Sequence, residues 1–141
     1  MLKRSAHAVW QGGLMGGDGR LTTPSKVLAD ARYSFPTRFG DEVGTNPEEL
    51  IAAAHAGCYC MALAFILERA GLPPRTLRAT AELSIANEGS RWTVTAIHLE
   101  TAATIPGADR GKFEAAANAA KSGCPISRLL NAKITMDARL S

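Results

Sequence analysis

Three cysteines are the residues of this chain best suited to chemistry. Cys58 and Cys60 sit two apart in one apolar stretch. On a helix they point about 200° apart, so they neither bond to each other nor share a metal. At most one of them faces a given site, and either also packs well as a small hydrophobe. Cys124 stands directly before Pro125-Ile126-Ser127, a helix start with proline at the first helical position. It therefore takes the N-cap, where backbone N–H groups and the positive end of the helix dipole favour its thiolate. Caps vary, so the slot also tolerates a cysteine without a chemical role.

Other polar residues are candidates for a site. Arg38 sits in Pro36-Thr37-Arg38-Phe39-Gly40, as a site cation or a solvated loop arginine. Glu48 and Glu49 lie in the first turn of a predicted helix, where both complement its dipole and Glu49 serves a capping box. His55 and Cys58, three apart, share a helix face and with Cys124 would make three metal ligands. The chain lacks the Cys-x-x-Cys and His-x-x-x-His pairs that mark zinc sites, so neither metal nor cofactor is expected. It also lacks Thr-x-x-Cys, and Cys-x-x-Cys beside a βαβ unit, so a peroxidase of the thioredoxin fold is not expected. The glycine-rich residues 12–19 lack the Gly-Lys-Ser/Thr ending of a phosphate loop and read as a hairpin connection.

The elements that must position these residues follow from periodicity and punctuation. Residues 5–11, 19–24 and 26–33 read as an N-terminal β-meander. Asn46-Pro47-Glu48-Glu49 opens a helix running to about Ala70, with Gly71 and Pro73-Pro74 as its stop. This helix is about 36 Å long, and its centre is apolar nearly all round. Such a helix is expected to be enclosed by its own chain or by a partner. Leu77 to Ile85 alternates as a half-buried strand, Asn87-Glu88-Gly89-Ser90 is a turn, and residues 91–104 return as the second strand of a hairpin. Residues 109–122 form a helix, Cys124 caps a short third one, and Ile134 to Leu140 closes with a strand. The predicted fold is one α+β domain over residues 1–141: meander, long central buried helix, β-hairpin, two further helices and a last strand.

Composition narrows the function classes. At 141 residues with 46% apolar and 21% charged, the chain can bury a core without staples. Its net charge is +3, and no basic run exceeds Lys3-Arg4, so neither a nucleic-acid nor a membrane partner is expected. The N-terminus lacks the apolar segment of a signal peptide. An odd number of cysteines fits a reducing compartment, so the cytoplasm is the expected location.

Three stretches together resemble the osmotically inducible protein C (OsmC) family. They are Thr37-Arg38-Phe39, the block Gly44-Thr45-Asn46-Pro47-Glu48-Glu49-Leu50 through Cys58, and Ser122-Gly123-Cys124-Pro125-Ile126-Ser127. The resemblance runs from about Ala8 to the last strand. It implies an intertwined homodimer with active sites at the subunit interface, and a thiol peroxidase reducing organic hydroperoxides. It makes Cys58 the attacking cysteine, Cys124 the resolving one, Arg38 the activator of Cys58 and Glu48 the holder of Arg38. The Thr-Arg-Phe arginine resembles the OsmC branch; in the organic-hydroperoxide-resistance branch the arginine comes from the glycine-rich loop, which makes Arg20 the lesser candidate. Cys60 departs from the family pattern. The family also suggests a small or protein-bound dithiol as reductant.

The implied chemistry has physical requirements. Cys58 in apolar surroundings has a raised pKa, so a cation must stabilise its thiolate, and the guanidinium of Arg38 can also stabilise the departing alkoxide. Glu48 lies about 15 Å from Cys58 along one helix, so an arginine on Glu48 cannot easily reach Cys58 of the same chain. Two such helices packed antiparallel across a two-fold axis would solve this, which predicts sites shared between chains. After attack, Cys58 sulfenic acid condenses with Cys124 to a disulfide, and a dithiol reopens it. The residues alone favour Cys124 as the low-pKa nucleophile; the resemblance assigns first attack to Cys58. Met61, Ala62 and Phe65 beside Cys58 suit an alkyl hydroperoxide better than hydrogen peroxide, and core packing explains them equally well. The rival reading is a non-enzymatic dimeric stress protein that binds a small apolar ligand.

Overall fold

Short strands around glycine turns shape the N-terminal part of the chain. The computed structural model describes residues 1–141, which form two compact units, residues 1–50 and 51–141.

The first unit holds β1 (His7–Gln11), β2 (Asp18–Thr22) and β3 (Ala31–Tyr33), an antiparallel meander in the order β1-β2-β3. Gly19 pairs with Trp10 on one side and Tyr33 on the other. Those two rings meet across it, centroids 5.5 Å apart. A Cβ at Gly19 would lie 2.5 Å from the Tyr33 ring, so the contact needs glycine. β3 is shorter than the strand expected over 26–33. Thr23 closes a loop there instead: its amide donates to the Leu28 carbonyl at 2.9 Å, and its hydroxyl accepts from the Leu28 amide at 3.1 Å. Lys26 and Asp30 take positive φ of 64° and 54°, which no strand accommodates.

α1 (Phe35–Phe39) replaces the loop expected around Arg38. Ser34 caps it, accepting from the Thr37 amide at 3.3 Å, while the Thr37 hydroxyl accepts from the Ser34 amide at 2.7 Å. Threonine takes the place of the glutamate or glutamine of a usual capping box.

α2 (Pro47–Arg69) has the predicted bounds, but only the Asn46 half of the predicted capping box forms, because the Glu49 carboxylate turns to Thr45. The Asn46 side chain accepts from the Glu49 amide at 2.7 Å. The Glu49 carboxylate accepts from the Thr45 hydroxyl at 2.8 Å. Gly71, at φ +75°, turns the chain out, and the Leu72 amide donates to the Leu67 carbonyl at 2.9 Å.

In the second unit, β4 (Thr76–Glu88) and β5 (Arg91–Thr104) form a hairpin about Gly89-Ser90. α3 (Arg110–Gly123) and α4 (Pro125–Leu129) follow, then β6 (Lys133–Leu140), which lies parallel to β5. The core joins Tyr59, Leu63 and Leu67 of α2 with Ile97 and Leu99 of β5 and Phe113, Ala117 and Ala120 of α3. The four-residue spacing of the α2 members makes one stripe. Enclosure all round is not what this chain alone provides. Met61 is 77% and Phe65 59% exposed, because sheet and α3 cover one stripe of a helix that is apolar on both faces. By length and composition alone α2 could cross a membrane, with mean hydropathy 2.0. Its buried stripe is nevertheless tied into this fold: Tyr59 donates to the Met136 sulfur at 3.1 Å, and His55 meets Ser127.

Candidate functional site

α2 and α4 bring Cys58 and Cys124 together. Cys58 is half-buried on α2; Cys124 is fully buried at the N-cap of α4, and both thiols are free. The two are near enough that each perturbs the ionisation of the other. Burial pushes the Cys58 thiol up; the Ile126 amide pulls against it, and Cys124 adds a further upward push. Burial also works against ionisation of Cys124, but the Ser127 hydroxyl and amide, then Cys58 and the Ile126 amide, outweigh it. The Cys124 thiol lies below its ordinary value. The Ser127 amide donates to Cys124 Sγ at 3.3 Å, the N-cap bond expected from the sequence.

Ser127 is a residue that sequence reasoning missed. Its hydroxyl lies 3.2 Å from Cys124 Sγ and 2.7 Å from His55 Nε2. The available signal was its place three residues after the cap, the second member of a capping arrangement. His55, weighed as a metal ligand with Cys58 and Cys124, is engaged by Ser127 instead. No three His, Cys, Asp or Glu residues are grouped to hold a metal ion. Burial keeps the His55 ring below its ordinary pKa, hence neutral at neutral pH.

Cys58 opens onto an apolar groove of about 800 Å³ walled by Met61, Phe65, Ile66, Pro125 and Ile126. Cys60, half-buried, borders a separate hollow with Ala64, Pro74 and Leu77. Burial raises its pKa. The two neighbouring thiols therefore serve different faces of α2, as their spacing predicts.

Arg38 and Glu48 come together in the first unit. Arg38 Nε donates to both Glu48 oxygens, at 3.0 and 3.1 Å, and Nη2 also donates to Oε1. The Glu48 side chain is only 14% exposed. The guanidinium carbon also sits 5.0 Å from the centre of the Phe39 ring. Arg38 edges an apolar cavity of about 320 Å³ lined by Trp10, Leu14, Tyr33, Phe35 and Pro47. A fork held on a shielded carboxylate is not a free solvated arginine. Arg20, the lesser candidate, is bound to Asp18 at 3.0 Å, and Asp18 also takes Arg32 at 3.1 Å. The hydrogen bond from Arg32, then the one from Arg20, hold the Asp18 carboxyl below its ordinary value against the cost of desolvation.

The structure thus makes two pairs of the four predicted site residues, one in each unit: Arg38 with Glu48, and Cys58 with Cys124. The cysteine pair can do dithiol chemistry. The arginine fork can present positive charge beside an apolar surface.

Known proteins bear on this arrangement. The family model described as OsmC-like protein matches residues 39–139. The chain is 41% identical to the peroxiredoxin OsmC of Escherichia coli over 139 residues, covering 99% of this chain and 97% of that protein. It is 29% identical to the organic hydroperoxide resistance protein of Xanthomonas axonopodis pv. citri, covering 97% and 94%. Its fold is similar to that of an OsmC-like protein of unknown function from Vibrio cholerae, with TM-score 0.78, 15% identity and 99% and 100% coverage. It is likewise similar to an organic hydroperoxide resistance protein of Bacillus subtilis, with TM-score 0.71, 24% identity and 96% and 98% coverage.

Proposed function

The chain belongs to the OsmC-like protein family, and from that membership and its cysteine pair we infer that it is a peroxidase of hydroperoxide defence. Its substrates are hydroperoxides, and organic ones are preferred to hydrogen peroxide, because the groove at Cys58 is apolar. The observation that carries the mechanism is the placement of Cys58 beside Cys124, with Cys124 the more acidic thiol.

Cys58 thiolate attacks the peroxide oxygen. The O–O bond breaks, the sulfur is oxidised to sulfenic acid, and the alkoxide leaves and takes a proton to become the alcohol. Cys124 thiolate then attacks the Cys58 sulfur. A disulfide forms, and hydroxide leaves and takes a proton to become water. An external dithiol, small or protein-bound, restores both thiols by exchange.

Cys58 needs a cation, since its own surroundings raise its pKa. Arg38, oriented by Glu48, supplies it. Ten helical residues, about 15 Å, separate Glu48 from Cys58. The Arg38 that serves Cys58 therefore belongs to a second copy of the chain, in a homodimer with shared active sites. The uncovered apolar face of α2 is the surface the second copy covers. Residues 1–141 act as one domain within that dimer. An odd number of cysteines suits a reducing compartment, which supports a cytoplasmic location.

The test uses reduced protein, one equivalent of an alkyl hydroperoxide and peptide mapping without reductant. A rapid Cys58–Cys124 disulfide with Cys60 still free is the expected product. Three unreacted thiols would overturn the reading.

A further inference from the structure

Ser127 Oγ stands between two buried groups. It lies 2.7 Å from His55 Nε2 and 3.2 Å from Cys124 Sγ. His55 and Cys124 have no solvent exposure, and Ser127 almost none. The other ring nitrogen, His55 Nδ1, is buried without a hydrogen-bond partner. That asymmetry assigns the tautomer. A proton on Nδ1 would be a buried donor left unsatisfied, a larger cost than an unused lone pair. The proton therefore sits on Nε2 and is donated to Ser127 Oγ. The serine proton is then free to point at Cys124 Sγ, where it binds S⁻ more strongly than S–H.

We propose that His55 and Ser127 are positioning residues for Cys124: His55 fixes the Ser127 hydroxyl as a donor, and that hydroxyl holds Cys124 as thiolate for its attack on oxidised Cys58. This rests on the reading of Cys124 as the resolving cysteine. Neither residue gives up a proton in the step. The S–S bond forms, the S–O bond of the sulfenic acid breaks, and the departing hydroxide is protonated by solvent. The same hydrogen bond stabilises Cys124 as the leaving thiolate when a dithiol reopens the disulfide. Cys58 is the titratable group that directly faces Cys124; His55, neutral, acts through the hydroxyl, and α4 otherwise contributes amides.

The test separates the two chemical steps. Reduced full-length protein receives one equivalent of cumene hydroperoxide, and hydroperoxide loss and disulfide formation are timed across the pH range over which thiols titrate. In Ser127→Ala and His55→Leu, hydroperoxide loss is not slowed, since a protonated Cys124 no longer opposes ionisation of Cys58. Disulfide formation slows by about tenfold at neutral pH, the worth of one charge-assisted hydrogen bond, and its pH midpoint rises. His55→Gln, which keeps a donor, recovers part of the rate. Ser127→Thr and Ser127→Val differ in the hydroxyl alone and control for packing. A wild-type midpoint in Thr with a raised one in Val supports the proposal; equal midpoints overturn it. If the wild-type protein forms no Cys58–Cys124 disulfide, the reading of the site falls and this proposal with it. If the wild type forms it and all variants match, this proposal alone falls.

Discussion

Arg38 Nε is shared between both carboxylate oxygens of Glu48, at 3.0 and 3.1 Å, and Glu48 is itself largely shielded. The guanidinium is thereby fixed in plane, with N–H groups left over for another anion. A lysine has no such fork. Arg38→Lys is expected to lower kcat/KM for an organic hydroperoxide by about 10²-fold, as loss of one preorganised donor does. Glu48→Gln, which keeps the shape and loses the charge, should fall between the two. Steady-state kinetics check both, and wild-type rates in Arg38→Lys would remove Arg38 from the site.

The two cysteine variants fail differently. Cys58→Ser is expected to leave the hydroperoxide untouched. Cys124→Ser is expected to consume about one equivalent per chain and stop with oxidised sulfur at Cys58. Mass measurement of the intact protein distinguishes them. The reverse pattern would make Cys124 the first nucleophile, the order its acidity alone favours.

Acidity also predicts reactivity toward alkylating reagents. The Cys124 pKa is lowered, so its thiolate persists below the ordinary thiol range and is lost only as pH falls through the lowered value. The sign for stability is the same. Cys124 contributes above its unfolded pKa, and that contribution disappears as pH falls through the folded one. The Cys58 and Cys60 values are raised, so each of those thiols ionises only at higher pH in the isolated chain. In denaturant all three thiols should titrate alike, which identifies the fold as the cause. Buried Cys124 is best followed with a small reagent such as iodoacetamide.

Phe65→Asp places a charge on the uncovered face of α2, away from the core stripe. The expected result is a folded monomer with little peroxidase activity. Sedimentation and circular dichroism report the two properties separately. An active monomer would sink the shared site.

Gly19→Ala should cost about 1–3 kcal/mol, the usual penalty for overpacking. Its Cβ would meet the Trp10 and Tyr33 rings. Thermal unfolding measures the loss. Trp10 fluorescence should change with it, because the ring contact is what must open.

Most elements were legible because their punctuation is local. Asn46-Pro47 and Gly71 bracket α2, and Pro125 after Cys124 marks α4. α1 was not legible: five residues are too few for periodicity, and its cap is completed by Thr37. The first part of the strand expected over 26–33 gives way to a Thr23 loop that no hydrophobic pattern signals, and only Ala31–Tyr33 remains as β3. At the site, Cys124 announced its cap by type and position. The link from Ser127 to His55 spans 72 residues of sequence, so only the tertiary fold creates it. The bare face of α2 was legible only as a choice between two covers: an apolar sequence does not say whether its own chain or another covers it.

The parallel pairing of β6 with β5 has a consequence for how the protein comes into being. Parallel neighbours cannot be joined by a tight turn, so α3 and α4, with Cys124 between them, form the crossover that links them. Such long-range closure is slow compared with forming a helix or hairpin. The two sulfurs of the site are thus brought together by tertiary closure, Cys58 from α2 and Cys124 from the crossover itself. A chain that has not closed this crossover holds the same cysteines without their pairing.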